Sequence, residues 1–186
     1  LDALGCLDAL EAASVQPTTL RYFTRRGQQI WSEPRGRAAG YRWPQLSIHR
    51  GALQTTLLEI TRERLGADRI HTGHHLTGLE SDEHGATAHF SAGRRGPHLR
   101  TVHGPVVIAA DGIHSTARAV HYPDEGMPRW NGSILWRGTA EVDPVFDGRT
   151  MVWAGHPDHK FVGYPIRDLP DGRQLFNFIA EFRTEG

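Results

Sequence analysis

Apolar and polar positions along the chain change rhythm several times. Leu1, Leu4, Leu7, Leu10 and Ala13 recur at helical spacing, with Gly5 interrupting, so residues 1–13 read as a broken helix. Thr18 to Thr24 is rich in β-branched and aromatic residues. Arg26-Gly27 turns the chain, and Gln28 to Ser32 returns as a second strand. Glu33 to Gly40 carries Pro34, Gly36 and Gly40 and reads as a loop, which Tyr41-Arg42-Trp43-Pro44 keeps extended. The clearest helix is Gly51 to Leu65. Leu53, Leu57 and Ile60 share one face, Leu58 and Leu65 widen the stripe, and Gly66 stops it.

Short strands follow at Arg69–Thr72, Leu76–Ser81, Ala86–Ser91 and His98–His103, separated by Asp82-Glu83-His84-Gly85 and by 92–97. The last three suggest a meander. Pro105 to Ala110 is continuous and apolar, the pattern of a parallel strand buried on both faces. It ends in Asp111-Gly112, and a short helix is predicted over Ser115–Val120. Four further strands are predicted at Ser133–Glu141, Arg149–Ala154, Lys160–Tyr164 and Leu175–Phe182, enough to roof a cavity. The chain therefore divides into a mixed α and β part, residues 1 to about 125, and a β-rich part from about 130 onward. This is the arrangement of a cofactor domain followed by a substrate domain.

Composition narrows the function. The chain has 186 residues, with Lys+Arg and Asp+Glu at 21 each. That balance argues against a phosphate-contacting nucleic-acid binder, which carries a basic excess. The single cysteine, Cys6, rules out an internal disulfide and reads as a small core filler. No apolar run approaches the ~18 residues of a membrane span, and no signal peptide is visible, so a cytoplasmic location is expected. There are twelve histidines. His71, His74 and His75 cluster, and His156 and His159 are three apart, but no carboxylate or cysteine completes a metal-ligand spacing. No metal is expected. His114 and Ser115 are sequence neighbours at a helix start and cannot form a nucleophile–base pair.

The strand–turn–helix at 105–120 is the strongest local signal for chemistry. Ligands of open α/β sheets sit outside the carboxyl ends of strands. Gly112 lets backbone approach a ligand, and Ser115 is a good N-cap. Asp111 is placed to accept from a sugar or ribityl hydroxyl, and Arg118 to reach a phosphate or pin Asp111. The same residues also describe a plain capped turn. In the β-rich part, Arg137 beside Trp136, with Tyr164, is a candidate for holding an aromatic carboxylate by a bidentate pair and stacking. The alternative is a core aromatic beside a solvated arginine.

Ala110-Asp111-Gly112-Ile113-His114-Ser115-Thr116-Ala117-Arg118 resembles the Asp-Gly fingerprint of single-component FAD-dependent aromatic hydroxylases, the p-hydroxybenzoate and salicylate hydroxylase-like flavoproteins. Ser47-Ile48-His49-Arg50-Gly51-Ala52-Leu53-Gln54 is similar to the segment where that family's strand enters a helix and an arginine reaches the flavin. Leu135-Trp136-Arg137-Gly138 and Tyr164-Pro165-Ile166 resemble strands of its substrate-domain sheet. Leu20-Arg21-Tyr22, Trp31 to Gly36 and Arg62 to Gly66 are similar to a phenazine-hydroxylating branch of it.

The resemblance implies an α/β (α+β) fold: part of an FAD/NAD(P)-binding Rossmann-like domain over 1–128, with inserted strands, then part of a β-sheet substrate domain over 129–186. It implies a monooxygenase that uses FAD, NAD(P)H and dioxygen on a small aromatic or heteroaromatic substrate. FAD contacts are implied at Arg50, Gln54, the backbone of Leu76, Asp111, Gly112, Ser115 and Arg118; Trp136, Arg137 and Tyr164 are implied to face substrate. No side chain is assigned as acid or base, because the flavin carries the hard chemistry. A non-hydroxylating FAD-dependent oxidoreductase, or an inert piece, are the alternatives. The family's opening Gly-x-Gly-x-x-Gly turn and its later Gly-Asp segment have no counterpart, and the chain opens without Met. It is expected to be the middle of a family member, to bind FAD weakly on its own, and to expose apolar edges that invite association with a second copy.

Overall fold

The computed structural model describes residues 1–184. They fall into two compact units, one made of residues 1–65 with 131 onward and the other of residues 66–130.

The first unit is built on a six-stranded sheet. Helix α1 (Leu7–Ala12) precedes a hairpin of β1 (Thr19–Phe23) and β2 (Gln29–Pro34), and helix α2 spans Arg50–Leu65. The sheet's other strands are formed far along the chain. In this unit the strands numbered β6 (Ser133–Val142), β7 (Thr150–His156), β8 (His159–Asp168) and β9 (Gln174–Arg183) complete the order β2-β1-β7-β8-β9-β6. β1 and β7 are parallel, and every other pair is antiparallel. The predicted strands 133–182 are therefore joined by the hairpin of the first third of the chain, and β6 closes on β9 rather than β7.

Register fixes which side chains share a face. Trp31, Tyr22, Trp153, Val162, Ile179 and Arg137 are successive partners across all six strands. Two positions along, Thr139, Asn177 and Tyr164 form a second row on that face. The tilted rings of Tyr22 and Trp153, 5.9 Å apart, are a cross-strand pair of this face. The opposite face carries Trp136, Phe178 and Phe161, the last two stacked at 6.3 Å.

The core is small. Leu10, Val15, Pro17, Thr150 and Pro165 are its fully buried side chains, and Cys6, Leu20 and Phe176 are buried beside them. Fully burying a side chain such as Leu10 contributes roughly 1.5–3 kcal/mol. An isolated bridge between Val15 and Ser47 and the donation from Gln45 Nε2 to Met151 Sδ (2.8 Å) hold the segment leading into α2 to the sheet. Arg64 donates to the carbonyls of Leu4 (2.5 Å) and Gly5 (3.1 Å), tying the end of α2 to the start of the chain. The apolar stripe of α2 is only half covered, and none of its residues is fully buried.

The second unit contains the expected meander. β3 (His74–Asp82), β4 (Gly85–Ala92) and β5 (His98–Gly104) form an antiparallel sheet in sequence order. Helix α3 (Thr116–His121) packs against β3. Two sequence expectations fail here. Arg69–Thr72 is not a strand: a 3-10 turn occupies Ala67–Arg69 and the chain then runs without a strand partner to β3. The apolar run 105–110 is not a buried strand either. It is an exposed, irregular segment in which Val106 is 74% and Ile108 87% exposed. Apolarity alone does not make a strand; its amides and carbonyls need a ladder on each side. No described strand pairs with 105–110, since the meander ends with β5.

Candidate active site

In the first unit a cavity of about 350 Å³ opens on the sheet face that carries Arg137 and Tyr164. Ile48, His49 and Arg50 wall one side where the chain enters α2, and Arg137, Gly138, Thr139, Tyr164, Ile166 and Asn177 supply the sheet side. His49 starts the helix: its carbonyl accepts from Leu53 N–H (3.0 Å) and its Nδ1 from Gly51 N–H (3.2 Å). That leaves Arg50, the first helical residue, at the cavity. Among the described residues neither Arg50 nor Arg137 has an ion-pair or hydrogen-bond partner, and no carboxylate lines the cavity. Two uncompensated guanidinium groups make it a site for negative charge or electron-rich oxygen.

The structure thus brings together Arg50, Arg137 and Tyr164, which the sequence had placed in different parts of the chain. It does not bring Trp136 with them. Strand neighbours point to opposite faces, so Trp136, 59% exposed, lies on the other side of the sheet from Arg137. Gln54 is exposed one turn along α2 and is not part of the cavity wall.

Asn177 is the residue that sequence reasoning missed. It is 8% exposed, lines the cavity, and its Nδ2 has no hydrogen-bond partner among the described residues. The signal was present in β9, where one amide interrupts the apolar run Leu-Phe-Asn-Phe-Ile-Ala at 175–180.

In the second unit the Asp-Gly junction is a closed network. Asp111 Oδ1 accepts from Ser115 Oγ (2.6 Å), and Oδ2 accepts from the N–H of Thr116 (2.8 Å) and of Ala117 (3.3 Å). Ser115 Oγ accepts from Arg118 N–H (2.9 Å) and so caps α3. The hydrogen bond from Ser115 is the largest influence, and together with those from the Ala117 and Thr116 amides it outweighs the cost of desolvation and holds the Asp111 carboxyl below its ordinary pKa. Gly112 follows at φ +80°, a left-handed conformation that glycine adopts without strain. The Arg118 side chain donates to the Ile113 carbonyl and pairs with Glu125 at 2.8 Å. Arg118 therefore reaches neither Asp111 nor open solvent with its full fork. A shallow cavity of about 280 Å³ beside this network is lined by Ile113, Ser115, Arg118 and Tyr122, with Arg94. Leu76 sits half-buried on β3 opposite Phe90, at a register shift.

The resemblance to known proteins extends over most of the chain. The family described as "FAD binding domain" matches residues 1–169. The phenazine 1,6-dicarboxylic acid hydroxylase PhzS of Lysobacter antibioticus is 37% identical over 183 residues, covering 97% of this chain and 45% of that protein. Among solved structures, Klebsiella pneumoniae HpxO complexed with FAD and uric acid superposes with a TM-score of 0.69 at 22% identity, over 96% of this chain and 45% of that one. The 2,6-dihydroxypyridine-3-hydroxylase of Arthrobacter nicotinovorans gives 0.68 at 23% identity, over 95% and 42%. These two likenesses show the fold. The chain spans about half the length of the relatives it matches.

Proposed function

The chain belongs to the FAD binding domain family, and from that premise we propose that the protein carrying it is a flavin-dependent monooxygenase that hydroxylates an aromatic or heteroaromatic small molecule with FAD, NAD(P)H and dioxygen. The observation that carries this reading is the cavity in which unpaired Arg50 and Arg137 meet Tyr164 and the orphaned amide of Asn177. Hydroxylases of phenazine, aminohydroxybenzoate and urate among the relatives act on flat, oxygen-bearing rings, and this donor set suits such a ring.

The residues present fit one end of FAD better than the other. Arg50, free of partners at the head of α2, is suited to the polar edge of an isoalloxazine. The first amides of α3 are already satisfied by Asp111 and Ser115, so that junction offers carboxylate and hydroxyl oxygens more than free N–H groups. Asp111, Gly112, Ser115 and Arg118, with Gln54 and the Leu76 backbone, are carried as FAD contacts on the family resemblance. When bound, FAD would supply the redox chemistry, with NAD(P)H as the source of electrons and dioxygen as the oxidant. The chain's own part is to bind the ring against Tyr164, to hold its charged edge with Arg137, and to keep water out of the cavity. Dependence on NAD(P)H, together with one free buried cysteine, suits work in the cytoplasm.

The test compares Arg50→Ala with Arg62→Ala in the complete protein, since Arg62 is an exposed residue on the same helix. Arg50→Ala should lose flavin or slow its reduction by NAD(P)H, while Arg62→Ala should retain both. Equal behaviour removes Arg50 from the site. NAD(P)H oxidation without a hydroxylated product for any aromatic acid or phenol would make the protein a non-hydroxylating oxidoreductase.

A further inference from the structure

Four buried side-chain atoms lack hydrogen-bond partners among the described residues: Arg35 Nε, His89 Nε2, Gln174 Oε1 and Asn177 Nδ2. Asn177 alone among these residues lines the cavity of the first unit. The same strand shows that a buried amide NH2 can be fully used, because Gln174 Nε2 donates both to the Gly148 carbonyl (3.1 Å) and to Asp168 (2.5 Å). Asn177 has no such acceptor. Across the cavity stand the obligate donors Arg50 and Arg137, the hydroxyls of Tyr164 and Thr139, the His49 ring and the aliphatic Ile48, and none of them accepts from the Asn177 NH2.

We propose that Asn177 is a specificity-determining residue that donates, beside Arg137, to the carboxylate of an aromatic acid substrate. The proposal rests on reading this cavity as the aromatic substrate's site, and it deepens that reading by naming the group recognised. A buried N–H without an acceptor is the costlier orphan, whereas a carbonyl with an empty lone pair is tolerated. The terminal torsion of asparagine is broad and roughly two-fold, so the amide can turn its NH2 toward an acceptor that arrives in the cavity. The unpartnered guanidinium of Arg137 on the same sheet face supplies the countercharge and a fork that matches two oxygens. A carboxylate satisfies both groups at once. A carboxamide of the same shape brings one oxygen and two further donors into a wall already rich in donors. Tyr164 and the aliphatic Ile48 and Ile166 give the ring its apolar contact, and about 350 Å³ accommodates a two- or three-ring molecule.

The experiment is a binding titration of the 186-residue chain at pH 7 with 1-naphthoate and its neutral isostere 1-naphthamide, followed by the side-chain amide resonances of Asn177. Neither FAD nor turnover enters, so failure of the monooxygenase reading leaves this result interpretable. The chain should bind the acid at least tenfold more tightly than the amide and shift the Asn177 NH2 signals. Asn177→Leu should cut the preference about threefold or more, leaving the part that Arg137 supplies, without lowering the thermal midpoint, since it removes an unsatisfied donor. Asn177→Asp, of the same shape, should favour the amide. Equal binding of acid and amide, binding of neither, unmoved Asn177 signals, or a preference undiminished in Asn177→Leu would each overturn the proposal.

Discussion

Tyr164 on β8 is the direct register partner of Asn177 on β9, so phenol and amide stand side by side on one face of the sheet. Both line the cavity that holds Arg50 and Arg137. The Tyr164 hydroxyl has no hydrogen-bond partner among the described residues, so the fold does not need it. Tyr164→Phe is expected to shift stability by no more than about 0.5 kcal/mol. It should weaken binding of an aromatic carboxylate by about two- to tenfold, the worth of one ordinary hydrogen bond. Thermal melts and ligand titration of the same variant check both halves. Loss of stability without loss of binding would make Tyr164 a structural residue.

One position away, Gly163 is constrained from the other face. A Cβ placed there would lie 2.5 Å from Phe176 Cε1 and 3.0 Å from Phe161 Cε1. Phe176 is 8% exposed, so its ring has little room to retreat, and Phe161 would have to give up its stacking on Phe178. Gly163→Ala should destabilise the chain by about 1–3 kcal/mol, as overpacking does. Urea unfolding measures it. A neutral result would mean that the aromatic face of the sheet is loosely packed.

Periodicity reported most elements because each is a local property. Helix α2, the β1–β2 hairpin, the meander and the four late strands all lie within a few residues of where their patterns predict them. What escaped is non-local. Nothing in Thr19–Phe23 says that it pairs in parallel with β7, more than a hundred residues on, and only that pairing makes one sheet of both ends of the chain. The same pairing logic explains the failure at 105–110, whose apolar pattern is right for a strand that no described neighbour completes. Arg50, Arg137 and Tyr164 were legible as residues through family resemblance, but their meeting depends on sheet register. Trp136 misled because adjacency in sequence is opposition across a strand. Asn177 stands out in the sequence as one amide in an apolar run, but its burial and the absent acceptor that mark it as a site residue are not visible there.

The exposed run gives a third prediction. Ile108 is 87% exposed in a segment without ladder hydrogen bonds. Ile108→Glu should therefore change the stability of the 186-residue chain by no more than about 0.5 kcal/mol and should improve its solubility. A strand buried on both faces could not take that charge without several kcal/mol of loss. A cooperative collapse of stability in Ile108→Glu would show that residues 105–110 pack in solution after all.

Asp111 supplies a prediction in pH. Its carboxylate takes the Ser115 hydroxyl and the amides of Thr116 and Ala117, and its pKa is lowered by those bonds, that from Ser115 foremost. A group whose folded pKa is depressed contributes stability that is fully present above its unfolded pKa, about 3.9 for Asp, and that is lost as pH falls through the folded value. The start of α3 should therefore stay capped as the solution is acidified from neutrality through the ordinary carboxylate range. It should fray only below that range. The amide proton shifts of Thr116 and Ala117 report this directly, and their common titration midpoint should lie below 3.9. Asp111→Asn keeps the shape and one acceptor oxygen but cannot titrate, so in that variant the two amides should show no acid transition of their own. A midpoint at or above the ordinary value, or an unchanged transition in Asp111→Asn, would mean that the carboxylate does not hold the helix start as the hydrogen bonds indicate.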